Sequence, residues 1–209
     1  MTAALLKPPS GPVSDEDFEQ FLWDYEGIER WELIDGVIRG MPEPSMPHER
    51  LSAWLTFELQ LSIRQAGLPW EVLAKLLCKL ADRGQYRRPD LFVADKETLR
   101  CCNQRQAILT HPPKLAIEIV STNWRDDYET KARHYAAWGI AEYWIVDLLL
   151  TQQDYPSRHH PEIVEPMISL GLLQAGAYQW QRYPSDCPIV SPTFPALKLS
   201  VQELLAAIA

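Results

Sequence analysis

The chain has 209 residues, of which 46% are hydrophobic and 23% charged, and its net charge at pH 7 is −8. This profile is typical of a globular domain that buries a sizeable core, and its apolar runs are far shorter than the roughly 18 residues of a membrane span. A pI of about 5.1 argues against a generic nucleic-acid-binding domain, which is usually basic.

The four cysteines show neither a CxxC pair nor a zinc-ligand spacing, and we expect them to be reduced thiols, as in a cytoplasmic protein. Residues 1–12 lack the basic start and the apolar stretch of a signal peptide. We therefore expect a flexible N-terminal arm over residues 1–13 and a single domain over residues 14–209.

The first half of the chain predicts two helices and a hairpin. Ser14 is a suitable N-cap for a first helix. Residues 31–38 predict two short strands joined by an Asp35-Gly36 turn. Apolar residues recur at intervals of three and four over residues 48–66, which predicts a helix that ends at Gly67.

The second half predicts strands over residues 71–80, 90–94, 115–120, 143–147 and 178–183, helices over 127–138 and 201–208, and a loop over 155–166. A strand, a helix and a strand in succession form a βαβ unit, so the strands at 115–120 and 143–147 should be parallel. The predicted fold class is α/β, with a mixed central β-sheet flanked by helices.

A glutamate interrupts the apolar strand at residues 115–120. Alternation places Ala116, Glu118 and Val120 on one face, where Glu118 is the only charged residue. Because a buried carboxylate is costly unless it is paired or binds a metal, we favour a metal-binding or catalytic role. A salt bridge at the strand end is the alternative.

Asp90 and Lys131 strengthen that interpretation. Asp90 follows Pro89 at the start of another apolar run, where turn capping is the alternative. Lys131 lies thirteen residues after Glu118 on a predicted helix, where most lysines are solvated. Two acids from separate strands with a nearby lysine can bind a divalent metal for phosphodiester hydrolysis. The cations near Asp90 could form a basic rim that meets phosphates: Lys75, Lys79, Arg83, Arg87 and Arg88.

These residues resemble the Uma-two family of restriction-endonuclease-like proteins, a branch of the PD-(D/E)XK nuclease superfamily. The resemblance spans about residues 15–205. It rests on Pro89-Asp90, residues 117–121, Lys131, Tyr135 and the Gly-Ile-Ala-Glu-Tyr-Trp block that starts at Gly139, with further similarity at residues 31–36, His48 and residues 190–197.

The resemblance implies a role for each matching residue. Asp90 and Glu118 match the motif acids that hold the metal, together with the backbone carbonyl of Ile119. The superfamily lysine should stand two residues after Glu118, where this chain has Val120, and Lys131 matches the lysine displaced onto the following helix.

Three further residues match the family less directly. Glu32 matches an upstream acid that serves some superfamily members as an additional metal ligand, although an exposed hairpin residue is an equal alternative. His48 matches a histidine that opens a helix, where an ordinary polar residue at the helix N-terminus is the alternative, and Tyr135 could align Lys131 or contact phosphate.

The implied activity is hydrolysis of nucleic-acid phosphodiester bonds, in DNA, by an endonuclease that uses Mg²⁺ or Mn²⁺. We also expect a homodimer, because duplex cleavage needs two cuts and the chain's 8 Trp and 8 Tyr exceed what one core readily hides. The alternative is a non-catalytic DNA-binding or protein-interaction module on a retained nuclease fold, which the acidic net charge and Val120 favour.

Overall fold

The computed structural model describes residues 6–102, 105–121, 123–148 and 165–209. Its α-helices are α1 (Asp15–Asp24), α2 (Met46–Gln65), α3 (Lys96–Arg100), α4 (Ala132–Trp138) and α5 (Val201–Ile208). A π-helical stretch, Asp126–Lys131, leads directly into α4 and is called the π segment below. No helix within these ranges has the length and apolar character needed to cross a membrane.

The strands are β1 (Trp31–Ile34), β2 (Val37–Gly40), β3 (Trp70–Ala74), β4 (Leu77–Lys79), β5 (Tyr86–Arg87), β6 (Leu91–Asp95), β7 (Ile108–Leu109), β8 (Leu115–Ile119), β9 (Glu142–Asp147), β10 (Met167–Gln174) and β11 (Ala177–Pro184). They form a main sheet in the order β11-β10-β9-β8-β6-β3 and a small sheet in the order β2-β1-β5-β4-β7. The parallel pairs are β8 with β9 and β4 with β7. The predicted mixed α/β fold and the parallel βαβ pair are therefore confirmed, with a second sheet added.

Local signals place the ends of the first helices and the hairpin turn. The Ser14 side chain caps α1, as predicted. Helix α2 begins at Met46, two residues earlier than expected, because Ser45 caps it and a proline is tolerated in the first turn. Asp35 and Gly36 both have positive φ, 51° and 75°, the backbone of the tight turn that twisted hairpins prefer.

Three predicted boundaries differ from the structure. The single strand expected over residues 71–80 is two strands in different sheets, divided where Lys75 adopts a φ of 55°. The helix expected over 127–138 starts earlier and begins as the π segment. Strand β10 was not predicted, because its first five residues are all buried and lack alternation. Of the loop expected over residues 155–166, residues 155–164 lie outside the described part of the chain.

The two faces of the main sheet carry separate cores. One face packs Leu115, Ile117 and Ile119 of β8 against α2 and α5. The other packs Ala116 and the residue after the strand, Val120, against α4. Glu118 shares this second face, as the alternation of the sequence predicts.

Candidate functional site

The two candidate acids lie side by side on the main sheet. Strands β6 and β8 are antiparallel, with Leu91 opposite Ile117. Extending this register by one residue sets Asp90 opposite Glu118, and opposed residues place their side chains on the same face. The backbone N–H of Ile119 also donates to Oδ2 of Asp90, at 2.8 Å. The structure therefore brings together two residues that are 28 apart in sequence.

Asp90 is held by donors and is 8% exposed. Its Oδ2 lies 3.1 Å from Nε2 of His48 and also accepts the backbone N–H of Ile119. Burial by itself would raise the pKa of this carboxyl, but the hydrogen bond and charge of His48, with Lys131 and the Ile119 N–H, lower it below its ordinary value. Both contacts use Oδ2, which leaves Oδ1 for another ligand.

Glu118 is only 1% exposed and is held by two side chains. The hydroxyl of Tyr135 donates to Oε1 at 2.7 Å, and Nζ of Lys131 lies 2.8 Å from Oε2. Desolvation raises the pKa of this carboxyl well above its ordinary value, with Lys131 opposing the shift and Asp90 and Asp127 adding to it. The structure thus shows that Tyr135 contacts the acid, whereas the sequence suggested a contact with Lys131 or phosphate.

Lys131 is buried rather than solvated, and two carboxylates share its ammonium. The second is Asp127, whose Oδ1 accepts from Nζ at 2.8 Å. Burial would lower the pKa of Lys131, but Asp127 and Glu118 raise it well above its ordinary value. Asp127 was not among the predicted site residues, although its spacing of four from Lys131 on a helix is the signal that could have identified it.

Glu32 lies outside this group of contacts. Its Oε1 accepts from the backbone N–H of Arg88 at 2.6 Å, and its Oε2 pairs with Arg87 at 3.3 Å. Both carboxylate oxygens are therefore engaged by donors of the chain. A role as an additional metal ligand would require Glu32 to release one of these contacts.

Most of the basic residues near Asp90 bond to other groups of the protein. Arg87 is fully buried between Glu32 and Asp126. Arg88 donates to the backbone carbonyls of Trp31 and Lys75, the Lys75 side chain pairs with Glu49, and Lys79 pairs with Asp15 and Glu19. Arg83 alone of the five is exposed. The other four cations of the basic rim expected from sequence already have partners within the protein.

The donor set fits a hard divalent cation. Within the described ranges, no three His, Cys, Asp or Glu side chains are grouped closely enough to hold a metal ion by themselves. Asp90 and Glu118 nevertheless lie side by side, and Glu118 shares the ammonium of Lys131 with a third buried acid, Asp127. Oδ1 of Asp90 is the oxygen placed for a cation, whereas Glu118 would exchange a contact with Tyr135 or Lys131 to bind one. Mg²⁺ suits such a site, because it commonly binds one or two carboxylates and keeps several waters.

Comparison with known proteins gives one family match and one similar solved structure. The family described as "Uma2: Putative restriction endonuclease" matches residues 15–202. Among solved structures, a protein from Anabaena variabilis, described as "a putative nuclease belonging to DUF820", is 19% identical with a TM-score of 0.67, and the match covers 95% of this chain and 100% of that one. At this identity the likeness shows the fold alone. No curated protein sequence matched the chain. Because the family match spans most of its length, the chain belongs to the Uma2 family of restriction-endonuclease-like proteins.

Proposed function

We propose that this protein is a metal-dependent endonuclease that hydrolyses phosphodiester bonds in DNA. The observation that carries the proposal is the placement of Asp90 opposite Glu118 on adjacent strands, with the ammonium of Lys131 at 2.8 Å from Glu118. The family and the nuclease-like fold support the reaction class. Buried, unevenly charged acid clusters are also typical of sites that do chemistry.

Asp90, Glu118 and the backbone carbonyl of Ile119 would hold Mg²⁺ or Mn²⁺. When bound, the ion would neutralise charge on the phosphate and make a coordinated water more acidic. Glu32 would assist only after exchanging a contact with Arg87 or with the Arg88 N–H.

The remaining side chains of the site position these groups. His48 holds Oδ2 of Asp90 and so leaves Oδ1 for the metal. Tyr135 orients Glu118 through its hydroxyl. Lys131 would stabilise the negative charge that develops on the phosphate during attack, and Asp127 keeps that ammonium charged and in place.

Cleavage assays test the proposal directly. We expect the purified protein to cut plasmid or single-stranded DNA with Mg²⁺ or Mn²⁺ and not with a chelator. Asp90→Ala should lose cleavage, because it removes a ligand. Asp82→Ala, which removes an exposed carboxylate eight residues before Asp90, should cleave like wild type and is the matched control.

Metal binding gives a second test that does not depend on activity. A cation that binds only the folded protein at 100 times its Kd stabilises it by about 2.7 kcal/mol. Mg²⁺ or Mn²⁺ should therefore raise Tm of wild type, and Glu118→Gln should abolish the gain. Equal shifts in both proteins would indicate nonspecific binding to surface carboxylates.

A non-catalytic DNA-binding or protein-interaction module is the second candidate. The observation that favours it is Val120 at the position of the superfamily lysine. Absence of cleavage with every divalent metal and nucleic acid tried, together with equal Tm shifts in wild type and Glu118→Gln, would support this candidate over the enzyme.

A further inference from the structure

Lys131 reaches Glu118 from a different element. A lysine two residues after the acid would directly follow the strand that carries the acid, but here the ammonium comes from the π segment. π-helical turns are rare and often occur at functional sites. Because lysine has a long flexible side chain, its ammonium can be placed accurately only if the backbone that carries it is held against the sheet.

A partly buried ion pair holds the first turn of the π segment. Arg87 on β5 bonds Asp126 through both terminal nitrogens, at 3.0 and 3.1 Å. Arg87 is fully buried and Asp126 is 39 residues away in sequence, so the pair ties the π segment to the small sheet. Asp126 and its neighbour Asp127 therefore have different partners, Arg87 and Lys131.

A tyrosine holds the next residue of the segment. The hydroxyl of Tyr143, on β9, donates to the backbone carbonyl of Asp127 at 2.9 Å. Tyr143 is fully buried, and its ring meets Tyr135 edge-on at a centroid distance of 5.2 Å. Strand β9 is the parallel neighbour of β8, which carries Glu118. One hydroxyl thus links the sheet that holds the acid to the residue that holds the lysine.

We propose that Tyr143 and the Arg87–Asp126 pair are positioning residues, which hold the π segment so that Lys131 stays on Glu118. The inference rests on the proposed function for its effect on rate. Loss of the Tyr143 hydroxyl removes none of the side chains that contact Asp90 and Glu118, but it frees the carbonyl of Asp127 and with it the backbone that carries Lys131. A misplacement of about 1 Å in such a group can lower a rate by about 100-fold.

The chain offers a matched pair of variants for the test. Tyr143→Phe removes the hydroxyl that binds Asp127. Tyr178→Phe removes a similarly buried hydroxyl, which donates to the carbonyl of Ile140 at 2.9 Å, beyond the end of α4. Each variant loses one buried hydrogen bond from the same aromatic cluster.

We expect both variants to keep KM and the metal-induced Tm shift. Only Tyr143→Phe should lower kcat, by about 10- to 100-fold, and only it should speed hydrogen exchange of the amides of residues 126–131. Asp126→Asn should reproduce both effects. An equal fall of kcat in the two tyrosine variants, or unchanged exchange over residues 126–131 in Tyr143→Phe, would overturn the inference. A wild type that cleaves nothing would count against the proposed function, and the exchange comparison would still decide whether Tyr143 holds the segment.

Discussion

At the scale of single residues, burial affects the acids of the site differently. Asp90 has a lowered pKa because His48, Lys131 and an N–H outweigh its desolvation. Glu118 and Asp127 have raised pKa values because desolvation outweighs their shared ammonium. A difference in pKa between neighbouring carboxyls is the usual sign that they have different roles. On the proposed function, Asp90 would therefore be the acid that is more readily ionised and better able to bind a cation.

Removing the shared ammonium should destabilise the metal-free protein in a pH-dependent way. Lys131 lies 2.8 Å from both Glu118 and Asp127, and removing one partner from a buried ion pair typically costs about 3 kcal/mol or more. In Lys131→Ala both carboxyls can be protonated in acid, so the loss should be smaller at about pH 5 than at about pH 8. Urea unfolding with a chelator measures this difference.

The same lysine should matter for the reaction itself. Removing one group that stabilises the transition state typically lowers a rate by about 10²–10³-fold, and we expect this loss in Lys131→Ala with metal affinity retained. Lys131→Arg should restore little, because a planar guanidinium does not fit a site built around an ammonium. Cleavage at the wild-type rate in Lys131→Ala would move this role to another residue.

Ionisation of Asp127 should lower the free energy of unfolding as pH rises through the acid range. Desolvation raises the pKa of its carboxyl from 3.8 to about 6, with Lys131 opposing the shift. A raised pKa means that the folded state favours the protonated acid, so this contribution is complete below 3.8 and is lost as pH rises to about 6. Without metal, wild type should therefore lose stability relative to Asp127→Asn over that interval. A constant difference across the interval would contradict the shift.

At the scale of elements, Gly84 joins three parts of the molecule. Its carbonyl accepts from Gly36 in the hairpin turn at 3.0 Å, and its N–H donates to Asp15 of α1 at 2.8 Å. It also has a φ of +70°, and a Cβ at this position would lie 2.8 Å from the backbone nitrogen of Gly36. The hairpin that carries Glu32 is therefore seated against the segment that leads to Arg87.

Alanine substitutions at two glycines separate the energetic cost of backbone strain from that of a steric clash. Gly67 has a φ of +63°, and an added Cβ would meet nothing within 4 Å. Gly67→Ala should therefore cost about 1–2 kcal/mol, the penalty for a left-handed L-residue. Gly84→Ala should cost more, because the same strain is joined by a clash with rigid backbone. Urea denaturation compares them, and equal losses would show that the hairpin turn moves aside freely.

At the scale of the whole molecule, the homodimer and the single domain over residues 14–209 both stay predictions. Large apolar side chains remain exposed in the described residues, among them Trp23, Ile28, Met46, Phe57 and Val190. Exposed aromatic and aliphatic side chains of this kind favour association. Light scattering at micromolar concentration should give twice the mass of 24.0 kDa. A monomeric mass would contradict the dimer and leave nicking of one strand as the expected reaction.

Much of the fold and part of the site could be predicted from the sequence, because they depend on interactions between residues that are close along the chain. Alternation over residues 115–120 correctly set Glu118 on one face of its strand. The predictions of the Asp35-Gly36 turn and the Ser14 cap were confirmed, because turns and caps depend on a few neighbouring residues. The proximity of Lys131 to the acids was expected from the family resemblance rather than from the motif spacing, which points to Val120, and the structure places its ammonium in contact with Glu118.

Tertiary structure alone decided the partners of the buried charges. Glu32 accepts from Arg87, 55 residues away, and Asp126 and Tyr143 hold the π segment through contacts with other strands. The division of residues 71–80 between two sheets is likewise set by which strands lie alongside. Such contacts depend on how sheets and helices pack, because a buried charge takes whichever partner the fold brings within reach, and no local pattern encodes that choice.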